Sequence, residues 1–102
     1  MKEFKLILVL KDNSGNSLEG LNNAVISQVI NKFGGATVFP GLGYYVSNEG
    51  KTIIDQVLNL IISAEDVPET YAYLKNISRV YKVGGKQECV YLSTPNGVEF
   101  IK

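Results

Sequence analysis

The chain is 102 residues long, is 45% hydrophobic and 20% charged, and balances ten Lys/Arg against ten Asp/Glu. That length and composition suit one domain around one hydrophobic core, and the chain need not be disordered. With zero formal charge and no Lys/Arg run, the sequence offers no phosphate-backbone footprint, so nucleic acid is not an expected partner.

There is no histidine and only one cysteine, Cys89. Imidazole-based acid–base chemistry, Ser–His and Cys–His nucleophiles, histidine zinc sites and an internal disulfide are all excluded. No metal or cofactor is expected. Cys89 itself reads as a small core residue. The longest N-terminal apolar run, residues 6–10, falls short of the roughly 7–15 residues of a secretory signal core. No stretch reaches the roughly 20 apolar residues of a membrane span. The expectation is a soluble, cytoplasmic protein with no membrane partner.

Phe4, Leu6, Leu8 and Leu10 alternate with Glu3, Lys5, Ile7, Val9 and Lys11, the period of a strand whose even positions face the core. "DNSGNS" then breaks the pattern. Ser17 is placed to cap a helix over residues 18–33, with Leu21, Val25, Val29 and Phe33 as its buried stripe and Ile26 and Ile30 widening it. Gly34-Gly35 ends that helix through positive φ. Residues 36–39 predict a short strand stopped by Pro40, with "PGLG" as a loop and residues 44–47 resuming extended structure. "NEG" makes a three-residue hairpin turn.

Residues 52–63 predict the longest strand, since β-branched residues dominate and a hairpin precedes them. Ile54, Leu58, Leu60 and Ile62 fall on one face, and Ile53, Asp55, Val57, Asn59 and Ile61 on the other. "DVPE" opens a second helix, with Asp66 as cap, Pro68 in the first turn and Glu69 closing a capping box. Val67, Tyr71, Leu74, Ile77 (or Ser78) and Tyr81 form its stripe, and Gly84-Gly85 ends it. Residues 88–93 and 98–101 are strands about a "TPNG" turn. The order β-α-β-β-α-β plus a terminal hairpin predicts an α+β, ferredoxin-like antiparallel sheet with two helices on one face.

Two helices cover one side of such a sheet. Ile7, Val9, Ile53, Val57 and Ile61 remain on the other, where leaving them in water forgoes roughly 1.5–3 kcal/mol each. They are therefore the expected interface of a homo-oligomer, with shielding by the chain's own loops as the alternative.

Half of the ten glycines lie in residues 31–50, around Tyr44 and Tyr45. Neither the G-x-x-x-x-G-K-[ST] nor the G-x-G-x-x-G pattern fits. Gly41 and Gly43 either let an edge strand bulge or open backbone to a ligand. In an extended segment the two tyrosines point to opposite faces, one packing and one reaching the surface. Lys86, Gln87 and Glu88 open the next strand, where an inward polar group needs Arg79, Lys82, a tyrosine hydroxyl or a ligand as partner. Asp55 and Glu88 are candidates for a carboxylate pair.

The runs F-G-G-x-T-V (residues 33–38), G-x-G-Y-Y (41–45), Gly50, the Asp55 strand and Q-E-C-V (87–90) together resemble a family of small proteins found in bacteria, phages and plasmids. That family typically shows G-x-T-V, G-x-W, an acidic residue in the next strand, and Q-E-[SAC]-V. Tyr45 stands where it tends to have tryptophan. The resemblance implies a ferredoxin-like fold, a phage-type origin and hence a host-cell cytoplasmic location, and it carries no activity.

Three functions follow as expectations. The first is a non-catalytic protein sequestering a nucleotide-type signal as a counter-defence sponge, with Thr37, Gly41, Gly43, Tyr44, Tyr45, Asp55, Arg79, Lys86, Gln87 and Glu88 as ligand-binding residues and none catalytic. The second is a protein-binding inhibitor or structural dimer using the free sheet face. The third is a small lyase or isomerase with Asp55 or Glu88 as base.

Overall fold

In the computed structural model, which describes residues 1–102, the chain runs β1 (Lys2–Val9), α1 (Glu19–Phe33), β2 (Thr37–Val46), β3 (Thr52–Ala64), α2 (Pro68–Gly84), β4 (Val90–Thr94) and β5 (Gly97–Ile101). All strands pair antiparallel in one sheet of order β2-β3-β1-β4-β5. The first four strands take the ferredoxin-like arrangement, and β5 extends it by a hairpin.

Alternation decides the core. Phe4, Leu6 and Leu8 of β1 are fully buried, as are Leu60 and Ile62 of β3 and Leu92 of β4. Val25 and Val29 of α1, with Leu74, Ile77 and Tyr81 of α2, close over them. Edge-to-face pairs of Phe4 with Tyr71 (5.3 Å) and Phe33 with Tyr73 (5.5 Å) seal the margins of this layer.

Several expectations are corrected. Residues 36–39 and 44–47 are not two strands about a loop, because β2 runs unbroken through Pro40 and Gly41. Pro40 pairs with Leu58 in register, and β2 is the sheet's edge, where a missing N–H costs no ladder bond. Leu18, not Ser17, holds the N-cap of α1, and Ser17 Oγ accepts only the Glu19 N–H at 3.2 Å. The capping box on α2 does not form either: Val67 is the N-cap, and Asp66 instead accepts the Tyr71 hydroxyl at 2.5 Å.

The two double glycines differ. Gly34 takes φ of 88° and donates to Ile30 C=O, a left-handed cap. Gly85 does not, having φ of −92°, and the positive φ passes to Lys86. A Cβ on Gly85 would sit 3.0 Å from Tyr81 O and 3.4 Å from Leu18, so this glycine serves close approach of α1 and α2. The strand after it begins at Val90, not residue 88.

Ile30 and Val67, expected in helix stripes, are exposed, and Leu10 is only half-buried at the end of β1. Ile54, expected on the core face, is also exposed. The register explains it. Rungs between β1 and β3 stop at Val9 opposite Val57, followed only by Leu10 N–H to Gln56 C=O at 3.0 Å. Thr52 to Asp55 therefore pair with β2 alone. They form a ribbon that projects about 14 Å beyond the end of β1 at roughly 3.4 Å per residue. The long dimension of the molecule, 40 Å against 28 and 22 Å, records that projection. Leu42, Tyr44, Val46 and Ile54 stand exposed on the ribbon's helix-side face.

Candidate functional site

The face of the sheet away from the helices carries the odd residues of β1 and β3. Val57 is nearly covered there, and its neighbours on β2, Gly41 and Gly43, lie close against it: Cβ atoms on them would be 3.6 and 3.5 Å from its methyls. At the ribbon end this face becomes concave. A cleft of about 760 Å³ opens there, within the size range of small-molecule sites. Ile7 and Val9 form its floor, and Ile53, Asp55 and Tyr45 form the wall from the ribbon. Gln87, Glu88, Cys89 and Tyr91 form the opposite wall, with Phe100 of β5 beyond them. Tyr91 and Phe100 pack edge to face at 5.7 Å.

Charge in the cleft is one-sided. Asp55, Glu88 and Glu49 line it against one cation, Lys51, and Lys51 is engaged with Glu49 at 3.9 Å in an exposed pair worth little. Asp55 and Glu88 are left without a basic partner. Their effect registers on Tyr45, whose phenol is pushed above its ordinary value by burial first, and then by the negative charge of Asp55, Glu88 and Cys89. The cleft is thus an acidic, aromatic-walled concavity, and it suits a cation.

The residues singled out from the sequence divide among three places. Tyr45, Asp55, Gln87 and Glu88 line the cleft together, and so do Ile7, Val9 and Ile53, which form its floor and wall. Gly41 and Gly43 share its face, beside Val57. Tyr44 projects from the opposite face of the ribbon, Lys86 is exposed at the loop after α2, and Ile61 lies farther along the sheet. Thr37, opposite Ile61, is at the far end of β2. Arg79 lies on α2, in a separate hollow with Lys75, Glu99 and Lys102.

Both adjacent tyrosines are exposed and neither packs into the core: Tyr44 stands on the ribbon face that no helix covers, and Tyr45 stands on the open cleft face. Cys89 is exposed rather than a core residue, since β4 begins only after it. Gln87 satisfies its amide locally, donating Nε2–H to Gly85 C=O at 2.8 Å. Tyr91 and Phe100 escaped the sequence reading, although their cross-strand spacing about "TPNG" places both on one face.

No protein-family model matches the chain, and no curated protein matches it in sequence. Among solved structures it is similar to a phage SAM lyase in complex with S-methyl-5'-thioadenosine, with a TM-score of 0.67 and 14% identity over 98% of this chain and 81% of that one. The same TM-score and identity hold for a phage SAM lyase in its apo state, covering 98% and 80%. At that identity the likeness establishes a shared fold. No helix is long and apolar enough to cross a membrane.

Proposed function

We propose that the cleft binds a cationic, nucleoside-bearing small molecule of the SAM type and promotes its breakdown to S-methyl-5'-thioadenosine. The convergence of Asp55, Glu88 and Tyr45 on one aromatic-walled cleft carries this reading. SAM bears a sulfonium and an ammonium group. Two unpaired carboxylates and the faces of Tyr45 and Tyr91 are the complement of such a ligand, and an adenine ring stacks on the same kind of surface. The fold shared with phage SAM lyase supports the choice among cations.

A sulfonium leaves carbon without being protonated, so a chain lacking histidine is no obstacle. With the ammonium held by Asp55 or Glu88, the ligand's own carboxylate is free to attack the γ-carbon of its amino-acid arm, the carbon whose bond to sulfur must break, closing a five-membered lactone. The carbon–oxygen bond forms, the carbon–sulfur bond breaks, and its electron pair returns to sulfur as a neutral thioether. The cleft contributes orientation and exclusion of water.

A second reading, sequestration of the intact ligand, draws on the same carboxylates. They stabilise the cation in its ground state at least as well as a transition state in which the charge is disappearing, and such binding does not accelerate the bond-breaking step. In either reading a further copy of the chain, or a protein partner, covers the apolar ribbon and closes the cleft; we propose a homo-oligomer acting in the cytoplasm.

Calorimetry with SAM and with S-methyl-5'-thioadenosine, together with chromatography of the incubated mixture, tests these readings. Thioether formed well above the buffer rate, and lost in Asp55→Asn and Glu88→Gln, is the expected outcome. Saturable binding with SAM recovered intact selects sequestration. No binding of either compound, and no protection of the exposed Cys89 thiol from labelling, refutes both. Native mass spectrometry reads the subunit number.

A further inference from the structure

Paired residues of β1 and β4 end at Leu6 opposite Leu92, and beyond them a side chain satisfies the main chain of Val9. Leu10 N–H bonds Gln56, so the even residues of β1 address β3 and the odd residues address β4. The register of Lys5 with Ser93 places Val9 opposite Cys89. That rung is absent. The Tyr81 hydroxyl accepts the Val9 N–H at 2.9 Å and donates to the Val9 C=O at 3.1 Å, serving as both donor and acceptor in place of Cys89.

Tyr81 reaches this point from α2 through the core and is 1% exposed. Asn22 of α1, 2% exposed, joins it by donating Nδ2–H to the same carbonyl at 2.8 Å, leaving its own Oδ1 without a partner. Two buried polar side chains from two helices thus converge on one strand residue, at a cost that an apolar pair would avoid.

The consequence falls on the cleft wall. The main-chain groups of Glu88 and Cys89 make no hydrogen bond within the protein, although both residues line the cleft. An extended residue with a free N–H and a free C=O is a ready-made edge for a partner that alternates acceptor and donor. An adenine ring has that alternation, with a ring nitrogen beside its exocyclic amine.

Building on the nucleoside ligand proposed above, we infer that the Tyr81 hydroxyl is a wedge that keeps the Val9–Cys89 rung open, so that the main chain of Cys89 recognises the ligand's base. Tyr81 is a positioning residue here, acting through Val9 and touching no ligand.

Amide hydrogen exchange by NMR on the ligand-free protein tests the wedge. In Tyr81→Phe the rung closes, and the Val9 and Cys89 amides gain at least tenfold protection; in Asn22→Leu, which keeps the wedge, the Cys89 amide exchanges as in the parent. Unchanged or faster exchange at Cys89 in Tyr81→Phe, or closure in Asn22→Leu, overturns the assignment. For recognition, S-methyl-5'-thioadenosine shifts the Cys89 amide resonance and binds at least tenfold more weakly to Tyr81→Phe. The 6-oxo analogue S-methyl-5'-thioinosine, whose donor and acceptor are exchanged, binds the parent at least tenfold more weakly. Equal affinities in both comparisons overturn the recognition role. If the parent binds neither nucleoside, the ligand reading fails, while the exchange data still decide the wedge.

Discussion

Leu60 and Ile54 lie on the same face of β3, six residues apart, and differ in whether a helix covers them. Leu60 is 0% exposed beneath both helices, and Ile54 is 57% exposed on the projecting ribbon. Leu60→Ala removes buried carbons and leaves a cavity in a layer walled by Leu6, Val29 and Leu74, at a cost of about 3–4 kcal/mol. Ile54→Ala removes three carbons worth about 0.8 kcal/mol each when fully buried, and with less than half of that burial present the loss is about 1 kcal/mol. Urea unfolding followed by circular dichroism measures both. For a domain of this size the first substitution lowers Tm by roughly 12–32 °C and the second by about 4–8 °C. A difference below about 1 kcal/mol between them, at every protein concentration, refutes the claim that the helices stop short of the ribbon. A loss in Ile54→Ala that grows with protein concentration shows a second copy covering it.

Other measurements bear on buried polar groups and turns. Ultraviolet titration should find Tyr71 and Tyr81 ionising last, both pushed up to about 12, the first by its bond to Asp66 and the second by burial. Because the folded value for Tyr81 lies above the unfolded 10.0, its contribution is intact below pH 10, is lost as pH rises toward 12, and disappears in Tyr81→Phe. Asp66→Asn brings Tyr71 back toward its ordinary range, and Asp55→Asn does so in part for Tyr45; no movement of either argues against those contacts. Asn22→Asp replaces the donor to Val9 C=O with a buried carboxylate and should cost at least about 3 kcal/mol at neutral pH by urea unfolding; a loss under 1 kcal/mol contradicts the network. Gly50→Ala strains a residue at φ of 79° in the β2–β3 turn and should cost about 1 kcal/mol, read as a Tm change of several degrees.

What could be read before folding follows from periodicity. The alternation of Phe4, Leu6 and Leu8, the long β-branched run ending at Ser63 and the spacing of Leu74, Ile77 and Tyr81 each name a buried face without reference to anything distant. Pro40 misled because proline's effect depends on whether its strand is an edge, and edge position is a property of the sheet. Asp66 misled because Tyr71, one turn on, competes for its oxygen. Of the site, Tyr45, Asp55, Gln87 and Glu88 stood out by chemistry, but their meeting in one cleft required β2, β3 and β4 to be laid beside β1 in register. Thr37 and Arg79 stood out equally and were carried elsewhere by the same register. Tyr81 shows the limit best: its helical spacing marks it as core, while its hydroxyl matters only because β1 ends beside it.

The linear order of residues by itself determined the element sequence, the two helix-facing stripes and the ferredoxin-like arrangement, since each depends on local period and on turn chemistry within a few residues. The tertiary structure alone decided that β3 outruns β1, that the apolar far face hollows into an acidic cleft, and that a phenol replaces a strand at Val9. Those outcomes depend on relative strand lengths and on contacts between residues as far apart as Val9 and Tyr81, where no short-range pattern operates.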